Sequence, residues 1–143
     1  MATAGRNLGR LGLVVAVLVL GAGPPAAWAQ EDDKGLLTVA GSFTYKTYCA
    51  TCHGKDARGD GPLADKLRFV PPDLTGLARR NGGAYPDELV HRIIDGRKAV
   101  KGHGGPDMPV WGDAFKNTES GYSEDKVREK IQGLVEFLRT IQE

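Results

Sequence analysis

The sequence predicts an all-α domain with a helix near each end and a loop-rich middle. Three observations carry that reading. Val127, Ile131, Leu134, Leu138 and Ile141 recur at near-helical spacing toward the C-terminus. Leu36, Ala40, Phe43 and Thr47 share one helical face upstream, with Tyr45 and Tyr48 beside it. Between the two, glycine and proline punctuate the chain, and no strong strand run lies near the paired cysteines.

The first segment reads as an export signal rather than as part of the fold. Arg6 and Arg10 are basic, Leu11 to Ala22 is almost wholly apolar, and Ala27-Trp28-Ala29 resembles a cleavage site. The expected division is 1–29 signal peptide and 30–143 folded domain. The competing reading is an uncleaved anchor, and only then is membrane association expected. The apolar run is shorter than the roughly 20 residues of a spanning helix, and Pro24-Pro25 interrupts it. The expected location is periplasmic, by the general export route, since no twin arginine precedes the run. The remaining 114 residues carry 17 basic and 18 acidic side chains and 15 glycines. Such a near-neutral balance argues against a nucleic-acid binder, which would show a basic patch or stripe.

Residues 30–35 are polar and expected to fray. The helix that starts near Leu36 should run into Cys49-Ala50-Thr51-Cys52-His53 and end at Gly54. C-x-x-C-H is the pattern for covalent attachment of a c-type haem. Each thiol can form a thioether to a haem vinyl group, and the adjacent imidazole falls under the iron as an axial ligand. Cysteines three apart on a helix sit nearly one turn apart, so both sulfurs project to one side. The C-x-x-C pair alone also fits a dithiol redox pair or half a zinc site. No third cysteine exists to complete a zinc site, and the other histidines, His91 and His103, are scattered. Thioether formation would also spare the pair from becoming a disulfide in an oxidising compartment. A large apolar macrocycle would supply core that so small and loop-rich a chain lacks.

Residues 54–83 read mostly as loop, with a turn at Gly59-Asp60-Gly61-Pro62 and an extended stretch forced by Pro71-Pro72. A short helix is expected over Thr75 to Arg80, ended by Asn81-Gly82-Gly83. Another begins at Pro86, with Asp87 and Glu88 in its first turn, Leu89 and Ile93 on its apolar side, joined by Val90 and Ile94, and Gly96 as its C-cap. Arg97 to about Tyr122 is expected to be loop. Ser123 then caps the final helix, with Glu124 and Asp125 favouring its N-terminus.

Over residues 36–142 these features together resemble the class I c-type cytochromes. Gly41 lies eight residues before Cys49 with Tyr45 midway, and Leu134 and Phe137 sit where that family's last helix packs. The resemblance implies a small all-α fold, its terminal helices crossing and its loops wrapped around one covalently bound haem c. A glycine at position 41 would let two helices cross closely. The alternative is a tolerated helix glycine, costing about 1 kcal/mol against alanine.

The second axial ligand expected is Met108. With Met1 removed it is the one methionine left, in Gly104-Gly105-Pro106-Asp107-Met108-Pro109. The family carries its axial methionine in such a loop, followed by proline. A lone methionine is normally core filler, which is less expected in a polar Gly/Pro-rich loop. His103 is the rival, and His91 a distant third. Ligation by His53 and Met108 would raise the reduction potential and leave no open iron site for oxygen or peroxide. Pro62 resembles the family's proline whose carbonyl takes the other imidazole N–H, with Pro71 and Pro72 as alternatives. Trp111 and Tyr48 either pack on the haem edge or form ordinary aromatic core. Lys98 and Lys101 either ring the haem edge and steer an acidic partner or are solvated surface.

The function this implies is an exported mono-haem carrier of single electrons between a donor and an acceptor protein, not an enzyme. Two alternatives stand: an electron-relay haem subunit of a larger exported oxidoreductase, and a haem sensor or peroxidase-like protein.

Overall fold

Two helices cross at a pair of glycines, and the crossing positions the rest. The computed structural model describes Met1 and residues 26–97, 108–118 and 123–143. Six helices occur among them: α1 Ala26–Tyr48, α2 Ala50–His53, α3 Leu77–Arg80, α4 Asp87–Asp95, α5 Trp111–Thr118 and α6 Glu124–Thr140. A short 3₁₀ turn, Ala64–Lys66, lies between α2 and α3. The described residues contain no strand.

α1 packs along α6. A Cβ on Gly41 would fall 1.8 Å from the Gly133 carbonyl oxygen, and one on Gly133 would fall 3.0 Å from that of Leu37. The backbones therefore touch, and only hydrogen fits between them. The close-approach reading of Gly41 is the one the structure shows. Around the crossing, Tyr45, Val127, Ile131, Leu134, Val135 and Leu138 form the core, joined by Val90 and Ile94 of α4 and Phe115 of α5.

Four details differ from the sequence reading. α1 begins at Ala26, ten residues before Leu36, so residues 30–35 are helical rather than frayed. Its buried face is also rotated. Leu36, Ala40, Phe43 and Thr47 are exposed, while Gly41 and Tyr45 are buried. The backbone contact at Gly41 decides this, because it turns the Gly41–Tyr45 line inward whatever lies on the next line. On α4 the buried pair is Val90 and Ile94, and Leu89 is exposed. Finally, α5 occupies part of the expected loop. It is two turns long, contains Gly112, and its apolar pattern is too short to register as periodic.

The helix ends follow their local chemistry. Gly96 adopts a left-handed φ of 68° and its N–H bonds the Arg92 carbonyl, closing α4. Ser123 accepts from the Lys126 N–H at 3.3 Å, opening α6. Just beyond α6 the chain stitches down its own middle: Gln142 accepts from the Ala78 N–H and donates to the Leu74 carbonyl, both at 2.9 Å.

Candidate haem cavity

α1 stops at Tyr48 rather than running on to Gly54, and the short helix α2, which follows Cys49, carries the rest of the motif to a cavity of about 710 Å³. Cys49, Cys52 and His53 line it, and so does Met108. Two thiols, an imidazole and a thioether that are up to 59 residues apart in sequence thus meet one space. Its other walls are apolar: Leu67, Val70, Leu74 and Leu77 from the middle loop and α3, Val90, Ile93 and Ile94 from α4, and Leu134 and Leu138 from α6.

The motif is held from behind by backbone. Gly59, Gly61 and Leu63 donate to the carbonyls of His53, Cys52 and Thr51 at 2.8, 3.2 and 3.0 Å. A Cβ on Gly61 would lie 2.5 Å from the Thr51 oxygen, so the chain fits there only as glycine. Tyr45, itself buried, donates its hydroxyl to the Gly54 carbonyl at 2.7 Å, and burial raises its phenol pKa. The turn and Tyr45 therefore hold the carbonyls of Thr51, Cys52, His53 and Gly54, while Cys49, Cys52 and His53 line the cavity.

Burial pushes the Cys49 thiol up to about 12, with the neighbouring Cys52 adding to the shift. As a free thiol Cys49 is therefore held protonated, a poor state for disulfide exchange. Among the described residues no cluster of three or more His, Cys, Asp or Glu side chains is placed to hold a metal ion. The motif's donors face an apolar cavity instead, which fits a large apolar macrocycle anchored by its edge. Bound there, haem c supplies a one-electron iron centre.

The remaining expected residues are placed as follows. Trp111 and Tyr48 line the cavity and also pack on each other and on Phe115, with ring centroids 5.2–5.6 Å apart. Their aromatic packing is thus what the structure shows, and both rings also border the cavity. Lys130 sits over Phe115 and Tyr48 at 4.9 and 5.5 Å. Pro71 and Pro72 line the cavity, whereas Pro62 is exposed in the turn behind the motif and does not. His91 is half-buried on α4 and does not line the cavity. His103, Lys98 and Lys101 lie outside the described residues.

Sequence reasoning did not pick out the Leu67–Val70 stretch as a wall. Its signal was three apolar residues, Leu67, Phe69 and Val70, leading into Pro71-Pro72, which keeps the chain extended along the cavity. Phe69 also lines the cavity while remaining largely exposed, so it forms part of the rim.

Comparison with known proteins agrees with this chemistry. A family model described as cytochrome c oxidase, cbb3-type, subunit III matches residues 38–120, more than half of the chain. No curated protein and no solved structure gives a match. The match spans the cysteine motif, the Met108 segment and the walls between them. With an all-helical fold built around that cavity, the chain belongs to this family of c-type cytochrome domains, which bind haem c and transfer electrons with redox partner proteins.

Proposed function

We propose that the chain is an exported carrier with a single haem, in which Cys49 and Cys52 anchor the porphyrin and His53 and Met108 ligate the iron. The observation that carries this reading is the convergence of all four side chains on one apolar cavity. A second axial ligand leaves no open position for oxygen or peroxide, so the site favours electron transfer over chemistry at the metal. We assign the Pro62 carbonyl as the acceptor for the other imidazole N–H in the haem-bound protein, in a turn already held against Thr51 and Cys52 by backbone bonds. Residues 1–29 act as the export signal, and the cleavage point after Ala29 falls inside α1.

The test combines a pyridine haemochrome spectrum with the intact mass of the exported protein. One haem per chain, two thioethers and loss of residues 1–29 are expected. In the oxidised protein a sulfur-to-iron charge-transfer band should be present and should vanish in Met108→Ala. A colourless product, or a band that survives the substitution, overturns the corresponding assignment.

A second reading is favoured by the family's description: the chain relays electrons within a larger terminal-oxidase-like complex. Co-purification from membranes decides between them. A stable complex supports the relay subunit, and a monomer exchanging transiently with its partners supports the free carrier.

A further inference from the structure

The ends of the segment that delivers Met108 are fastened by a group of charged side chains outside the cavity. Arg97, just past α4, donates through Nε to Asp95 and through Nη1 to Glu124, both at 2.7 Å. The other oxygen of Glu124 accepts from Lys116 of α5 at 2.6 Å. One carboxylate at the start of α6 therefore joins the residue that enters the segment to the helix that follows it. The seat for this group is a glycine. A Cβ on Gly112 would fall 2.0 Å from Asp95 Oδ1 and 2.4 Å from Arg97 Nε. Gly112 is four residues beyond Met108, and on the same side a Cβ on Gly96 would come within 3.2 Å of the Val110 Cα.

We propose that Arg97 is a positioning residue for the sixth ligand: its fork, clasped between Asp95 and Glu124 over Gly112, fixes the foot of the segment and so the fraction of time Met108 stays on the iron. This rests on the assignment of Met108 as ligand. The geometry suits guanidinium in particular, because two separate carboxylates are held by two edges of one planar group. Lysine would keep the charge and lose one of the two bonds. The arrangement is also local, since it ties α4, α5 and the first residue of α6 without touching the α1–α6 crossing. Loosening it should free the ligand while leaving the fold and the thioethers in place.

The test is capture of the oxidised holoprotein's iron by free imidazole, followed as the shift of the main haem absorption band and, where it is present, as loss of the sulfur-to-iron band. Arg97→Gln is expected to speed capture about three- to tenfold, the range that two partly exposed ion pairs can hold. Arg97→Lys should fall between that variant and the parent protein, with haem content and helicity unchanged in both. Arg128→Gln, which breaks an exposed pair with Asp125 elsewhere on α6, should leave the rate unaltered. If Arg97→Gln yields no holoprotein, Lys116→Gln puts the same question by freeing one oxygen of Glu124. Parent-like capture in Arg97→Gln overturns the proposal, as does equal acceleration in Arg128→Gln. The Met108→Ala variant separates the two claims. If it captures imidazole at once while Arg97→Gln behaves like the parent, only the clasp fails. If Met108→Ala itself behaves like the parent, Met108 is not the ligand and both fall.

Discussion

The two segments that face the haem cavity are held in place by opposite means. Behind Cys49–His53, the fastenings are backbone bonds from Gly59, Gly61 and Leu63 and a buried tyrosine hydroxyl. Behind Met108, they are charged side chains whose exposures run from 19% at Asp95 to 49% at Lys116. Backbone and buried bonds are insensitive to salt, whereas exposed ion pairs are screened and individually weak. The side that is anchored covalently is thus built rigidly. The side whose bond to iron is exchangeable rests on interactions that substitution and solution conditions can adjust.

Glycine substitutions should break this contrast most visibly. A Cβ on Gly61 meets the Thr51 and Cys52 backbones at 2.5–2.6 Å, and neither can move without shifting the motif. Gly61→Ala is expected to cost about 3 kcal/mol, the upper end for overpacking, and to depress holoprotein yield. A Cβ on Gly112 meets side-chain atoms of Asp95 and Arg97, which can swing aside, and the Asp95 carbonyl oxygen only at 2.9 Å. Gly112→Ala should cost nearer 1 kcal/mol, both costs being read by urea titration. Equal costs would mean that the Met108 side is as rigid as the motif side.

Tyr45→Phe tests the motif side more gently. The substitution keeps the ring, which packs on Phe137 at a centroid distance of 5.1 Å, and removes only the donor to the Gly54 carbonyl. A buried acceptor left without its donor costs about 1–2 kcal/mol. Because the lost bond is buried and uncharged, the deficit should not change with salt. A deficit that shrinks in salt would place water, rather than protein, around Gly54.

The parts of this architecture that were legible in the sequence are those with a local chemical signature. The C-x-x-C-H motif, the Ser123 cap, the Gly96 cap and the glycine at position 41 each narrow the environment to one or a few, whatever lies elsewhere in the chain. What was not legible depends on partners distant in the chain. Leu36, Ala40, Phe43 and Thr47 form a good helical face, yet the Gly41–Gly133 contact turns the neighbouring line inward. α5 has too few residues to show a period, and its Trp111 and Phe115 are defined by Tyr48 from α1. The Arg97 clasp draws on residues 95, 97, 116 and 124, a set that no spacing rule assembles.

The smallest expected effect sharpens the comparison through pH. Hydrogen bonds from Lys116 and then Arg97 hold the Glu124 carboxyl at about 2, below its ordinary value of 4.5. The folded protein therefore keeps this charge at acidities where the unfolded chain has lost it. The stabilisation is complete above the unfolded value and disappears as pH falls from about 4.5 through about 2. Glu124→Gln should lower the thermal midpoint modestly near neutral pH, by less than Tyr45→Phe, and the two curves should converge as the window is crossed. About 1 M salt, where screening acts within ~3 Å, should remove most of the neutral-pH difference as well. The Tyr45→Phe deficit should cross the same window without converging, since no charge is involved. If the Glu124→Gln deficit also persisted at the acid end, packing rather than charge would be fastening the Met108 side, and the two segments would be held alike.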